Sequence, residues 1–190
     1  MATQLPMHLP DAEALCAALA DAMRAHVDPA ATALVGIHTG GVWVAERLHA
    51  ALGLKIPPGS INVSFYRDDY HQRGLHANAK TSQIPFDVEG AHIVIVDDVL
   101  HTGRTIRAAM NELFDYGRPG KIDLAVLTDR GGRELPIAPG FCPHSLSLPA
   151  AQILALERGA DGGLSFRLIE RQASGEASAG FMGAKPGGRN

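Results

Sequence analysis

The chain has 190 residues, with 17 Lys and Arg against 20 Asp and Glu for a net charge of −3, and it is 46% apolar but only 5% aromatic. That length holds one well-cored domain with room for a small appendage, and two full domains are disfavoured. The scarcity of aromatics argues against a β-sandwich, the near-neutral charge lacks the basic signature of a nucleic-acid binder, and no apolar run nears the roughly 18 to 20 residues that span a bilayer.

Asp11 is placed to cap a helix whose Leu15, Leu19, Ala22 and Met23 share one face and which stops at Asp28-Pro29. Residues 33–37 (ALVGI) read as a strand, followed at once by His38-Thr39-Gly40-Gly41 and a helix through Val44, Leu48 and Leu52 to Gly53. Residues 61–66 (INVSFY) alternate as a strand does, and the polar stretch 67–83 is expected to form a mobile loop or β-arm. Residues 92–98 (HIVIVDD) give the strongest strand signal, an apolar β-branched run suited to a buried parallel strand. Thr102-Gly103-Arg104-Thr105 then opens a helix with Ile106, Ala109, Met110 and Leu113 on one face, closed by Gly117 and Pro119. Residues 122–128 (IDLAVLT) form another buried strand.

Strand, helix, strand in succession predicts an α/β fold with an open, mostly parallel, doubly wound sheet and right-handed crossovers. Past Gly131 the pattern weakens. Pro136, Pro139, Pro143 and Pro149 mark loops, and residues 165–170 (SFRLIE) read as a late strand. The expected organisation is one domain over 1–171, with a small hood over about 138–171 to which the N-terminal helix contributes, and a disordered tail over 172–190. Cys16 and Cys142 make neither a C-x-x-C pair nor a metal comb, and the N-terminus shows no signal-peptide pattern, so a reducing, cytoplasmic setting is expected. The nine histidines show no zinc spacing and read mostly as surface residues.

In an open parallel sheet, ligands bind beyond the carboxyl ends of the strands, where the unusual residues of this chain fall. The central run is 93–105, IVIVDDVLHTGRT. Its Thr-Gly-Arg-Thr portion lies between a strand end and a helix start, where free backbone N–H groups and the helix dipole suit a phosphate monoester. Gly103 permits close backbone approach, and Thr102 and Thr105 offer hydroxyls. Asp97 and Asp98 sit beside the phosphate, placed to accept hydrogen bonds from ribose hydroxyls. Taken singly, Asp-Asp is an ordinary strand end and Thr-Gly an ordinary helix cap; joined in one run they point to a phosphorylated ribose. No Walker or dinucleotide glycine motif is present, and the acids lack the D-x-D order of an aspartyl phosphatase.

Four apolar residues, two acids and a T-G-x-T loop resemble the signature of type I phosphoribosyltransferases. LVGIHTGG (34–41), FYRDD (65–69), VDDVLHTGRTIRAAM with the following YGRP, and AVLTDRGGRELPI (125–137) narrow the resemblance to the PyrR family over about 34–137. That resemblance implies uracil phosphoribosyltransferase activity, with UMP and pyrophosphate made from uracil and phosphoribosyl pyrophosphate (PRPP), Mg²⁺ as cofactor and a homo-oligomer. Some members also bind pyrimidine-operon mRNA, and the alternative reading is a regulator that senses UMP or PRPP through RNA with weak catalysis or none.

By family position, Asp97, Asp98 and Arg67 are the catalytic candidates. PRPP falls to Thr39, Gly40 and Gly41 in the pyrophosphate loop, to Asp97 and Asp98, and to Val99, Leu100, His101, Thr102, Gly103, Arg104 and Thr105. Asp129 and Arg130 are assigned to metal, pyrophosphate or base contact, although a salt bridge at the strand end accounts for them equally. Where relatives read K-T-R-G, this chain has His38-Thr39-Gly40-Gly41. Two cations facing the leaving group are lost, so reduced turnover is expected, partly offset by Arg67 or Arg73 on the arm, and a Gly40→Arg variant should recover rate. The arm 67–83 is expected to close over the site, or else to be a plain surface loop. The RNA-type segment H-R-E-L-P-I-R appears as Gly132-Arg133-Glu134-Leu135-Pro136-Ile137-Ala138, without its His and second Arg, so RNA affinity is expected to be thin.

Overall fold

A computed structural model of the chain describes residues 9–63 and 81–170. Helix α1 (Ala12–Met23) begins where expected: the Asp11 carboxylate accepts the backbone N–H groups of Glu13 and Ala14 at 2.9 and 3.1 Å. It ends five residues before Asp28, and its buried face is Ala12, Cys16, Leu19, Ala20 and Met23, with Ala22 turned to solvent. Strand β1 (Thr32–Ile37) is buried throughout, and helix α2 (Gly40–Leu52) closes on Gly53 in the left-handed region at φ +63°.

Strand β2 is confined to Gly59–Ile61, shorter and earlier than the alternating run suggested. Part of that run lies outside the described residues. Strand β3 (His92–Leu100), helix α3 (Arg104–Tyr116) and strand β4 (Lys121–Asp129) follow the predicted order. Three short elements complete the chain: β5 (His144–Ser145), β6 (Gln152–Arg158) and β7 (Leu164–Glu170).

The main sheet runs β2-β1-β3-β4-β5 with every pairing parallel. Helices α1 and α2 cover one face with Leu34, Val94, Val96, Ala125 and Leu127, while α3 covers the other with Val35, Ile93, Ile95, Leu124 and Val126. This is the doubly wound sheet expected of the sequence. Phe166 is the sole aromatic among the described buried residues, so the core is aliphatic as the composition implied. Chain order reverses between β1 and β3, and the loops leaving them part to opposite faces and open a crevice at their carboxyl ends.

Residues 141–145 join the main sheet through an Ala125–Phe141 bridge and β5, while the β6–β7 hairpin packs on α1 through Leu154, Leu156, Leu164 and Phe166. Arg47 of α2 ties these parts together, pairing with Glu13 at 3.1 Å and donating to the Gly162 carbonyl at 2.7 Å. Among the described histidines only His26 is exposed, so the surface reading of histidine is corrected. His92 shows why: its ring lies between Thr32 Oγ1 at 3.3 Å and Asp123 Oδ2 at 2.8 Å, at the amino end of the central strand β3 and far from the crevice.

Candidate functional site

The run of acids falls where the crevice opens. Side chains alternate along a strand. Ile93 and Ile95 belong to the α3-side core and Val94 and Val96 to the α2-side core, and Asp98 keeps to the α2 side, its carboxylate against the start of α2. Both carboxylates are buried, and Asp97 Oδ1 accepts the Asp98 backbone N–H at 3.0 Å. Leu100, named above with the PRPP-binding residues, has its side chain in the α3-side core and its carbonyl bonded to the Arg130 N–H at 3.0 Å; Val99 packs with the α2-side core.

On the α2 side, a cis peptide joins His38 to Thr39, and Thr39 is the N-cap of α2 without a side-chain capping bond. Gly40 and Gly41 let the helix start approach β3 at its closest. A Cβ on Gly40 would stand 2.5 Å from Asp98 Oδ2, and one on Gly41 would stand 2.3 Å from the Val96 carbonyl oxygen. The loop that the family resemblance assigns to pyrophosphate is thus pressed against the second acid.

On the α3 side, Gly103 is the N-cap at φ +92°, in the left-handed region that favours glycine, and it too supplies no capping side chain. Thr102 is buried, and its Oγ1 accepts the Arg104 N–H at 3.3 Å. Neither α2 nor α3 has an acidic residue in its first turn. Two helix starts with N–H groups and positive dipole ends therefore flank a buried carboxylate pair, an arrangement able to hold an anion on each side of a polyol.

Asp129 and Arg130 end β4 on the same edge. Asp129 pairs with Arg133 at 2.5 Å and accepts the Gly131 N–H at 2.9 Å, which places an ion pair at the end of the strand. Arg130 is buried. Beside them lies a cleft of about 690 Å³ lined by His101, Asp129, Arg130, Gly131, Gly132 and the stretch from Ser145 to Leu148 with Ala150. Of the hood expected over about 138–171, Ser145, Leu146, Ser147 and Leu148 line this cleft. No periodicity marks them, because β5, which carries Ser145, is two residues long and Leu146 to Leu148 lie in irregular chain. Arg67, with residues 67–80 of the arm, lies outside the described residues.

Residues 8–141 match the phosphoribosyl transferase domain family. Among solved structures, a hypoxanthine-guanine-xanthine phosphoribosyltransferase superposes with a TM-score of 0.56 at 18% identity, covering 77% of this chain and 82% of its own. The hypoxanthine-guanine enzyme from Leishmania tarentolae in complex with GMP gives the same score and identity over 75% and 82%. The fold is that of the type I phosphoribosyltransferases. A bifunctional protein PyrR from Pseudomonas entomophila (strain L48) is 47% identical over 176 residues, 91% of this chain and 99% of that one. Its counterpart from Pseudomonas paraeruginosa (strain DSM 24068 / PA7) is 51% identical over 145 residues, 75% and 85% of the two chains. Within the phosphoribosyltransferases, the chain belongs to the PyrR family.

Proposed function

We propose that the chain transfers the phosphoribosyl group of PRPP to uracil, giving UMP and pyrophosphate, as in pyrimidine salvage. The observation that supports this most directly is the pair of helix starts, neither with a side-chain bond from its N-cap residue, on either side of Asp97 and Asp98. PRPP has the matching shape in charge: a 5′-phosphate at one end, a pyrophosphate at the other and two hydroxyls between. In this reading the α3 start and Thr102, Gly103 and Thr105 take the 5′-phosphate, the α2 start with Thr39, Gly40 and Gly41 takes the pyrophosphate, and Asp97 and Asp98 accept from the ribose hydroxyls.

Uracil, held in the cleft beside Ser145 and Leu146, attacks C1 through N1. The C1–O bond to pyrophosphate breaks as the N1–C1 bond forms, and the N1 proton passes to the departing pyrophosphate or to water. Positive charge gathers on the ribose ring in between, where the buried carboxylates are already oriented. Mg²⁺ fits the hard oxygen donors offered by Asp97 and Asp98 together with substrate phosphates, and would offset the charge left on pyrophosphate. Steady-state UMP formation from uracil, compared with product from hypoxanthine and orotate, tests the reading. Equal use of hypoxanthine, or no product from uracil, would refute it.

The relatives are called bifunctional, and the second reading is a regulator that binds pyrimidine-leader RNA. In this chain the cations nearest the RNA-type segment are already engaged, Arg104 with Glu134 at 2.7 Å and Arg133 with Asp129. A fluorescence titration with leader RNA at low salt is expected to give weak, salt-sensitive binding.

A further inference from the structure

The segment 131–137 runs back along the loop that follows β3 and bonds to it repeatedly. Arg133 donates through Nη1 to the His101 carbonyl and through Nη2 to Asp129. The Glu134 and Leu135 N–H groups both donate to the Thr102 carbonyl, at 3.0 and 3.1 Å. Glu134 holds the Arg104 guanidinium at 2.7 Å, and a Cβ on Gly103 would stand 3.1 Å from Ile137.

We propose that Arg133 is a positioning residue for phosphoribose binding, orienting the peptide groups of the Thr102–Gly103 loop by holding the His101 carbonyl against the carboxylate of Asp129. The inference deepens the phosphoribosyltransferase reading above and rests on it. Peptide units are planar, with C=O and N–H pointing oppositely. Once the strap takes the His101 and Thr102 carbonyls, the Thr102 and Gly103 N–H groups face away from it, as a phosphate-binding loop requires. A carbonyl turned the other way would repel the anion.

The β3–β4 ladder ends at Leu100 and Asp129, and Arg133 extends the tie past that end with a side chain. Its planar fork reaches a carbonyl and a carboxylate at once, which a lysine ammonium does not do in a fixed geometry. His101 and Asp129 both line the cleft whereas Arg133 does not, so it acts through them.

The test compares wild type with Arg133→Met and Arg133→Lys, using calorimetric binding of ribose 5-phosphate, UMP kinetics and thermal melts. In Arg133→Met, ribose 5-phosphate Kd and PRPP KM are expected to rise together by about 10-fold or more, while uracil KM stays near wild type. Arg133→Lys, which keeps a cation beside Asp129, should fall between. If Arg133→Met does not fold, the rise in Arg133→Lys carries the test. A folded variant that binds ribose 5-phosphate like wild type would overturn the proposal, as would equal losses toward PRPP and uracil with a lowered Tm. Arg133-dependent ribose 5-phosphate binding without UMP formation would refute the uracil reading and support the positioning role.

Discussion

Replacing Gly40 by Ala probes the tightest contact in the site. The added Cβ would lie 2.5 Å from Asp98 Oδ2 and 2.6 Å from its Cγ, whereas ordinary contact begins near 3.4 Å, so the carboxylate must retreat by about 1 Å. Asp98 is 7% exposed and has little room to do so. Overpacking of this kind costs about 1–3 kcal/mol, partly offset by up to about 1 kcal/mol gained when Ala replaces Gly in a helix. Global stability therefore changes little, and Tm falls by only a few degrees. Catalysis responds more steeply, since a misplacement of about 1 Å can cost on the order of 100-fold. The expected result is a fall of about 10- to 100-fold in kcat/KM for PRPP with near-normal melting. Gly40→Arg carries the same Cβ and should fall at least as far, reversing the gain that the sequence comparison of this loop suggests. Wild-type kcat/KM in Gly40→Ala would refute the account of Asp98 as a held ligand of the ribose.

Asp98→Asn and Thr105→Ala are each expected to raise PRPP KM by about 10-fold through loss of a charge-assisted hydrogen bond; wild-type PRPP affinity in both would void the site assignment. Burial, reinforced by nearby Glu13, pushes the Cys16 thiol up to about 11, so at pH 8 iodoacetamide should label Cys16 far more slowly in the native protein than in urea, as read by mass spectrometry. Burial also pushes the Asp123 carboxyl up, but hydrogen bonds from Lys121 and His92 outweigh it and hold the group below its ordinary value of 3.8. A lowered carboxylate stabilises the fold above its unfolded pKa, and that contribution is lost as pH falls through the folded value. Asp123→Asn should therefore be less stable than wild type at pH 5–7, with the gap closing below about pH 4 in urea melts; a gap independent of pH would contradict this.

The elements legible in the sequence are those whose signals are local. The continuous apolar run of β3 and the Gly-containing turns after β1 and β3 declare a buried parallel strand and two helix starts, whichever residues they later meet. Strands β5 and β6 gave no such signal. β5 is two residues long and exists only because β4 offers it an edge, and β6 is stabilised by pairing with β7 and by Leu154 and Leu156 in the α2-side core. The histidines misled for the same reason: the half-burial of His92 depends on Thr32 and Asp123, which are remote in sequence.

The sequence by itself determined the class of sheet, the two glycine-containing helix starts and the paired acids, because backbone geometry and alternation act over a few residues. Only the tertiary structure decided that Asp98 lies against the start of α2, that Gly40 is bare because Asp98 occupies the space of a side chain, and that Arg133 serves Asp129 and the His101 carbonyl. Those are contacts between segments far apart in the chain, set by how the layers close on one another, and no local pattern encodes such distances.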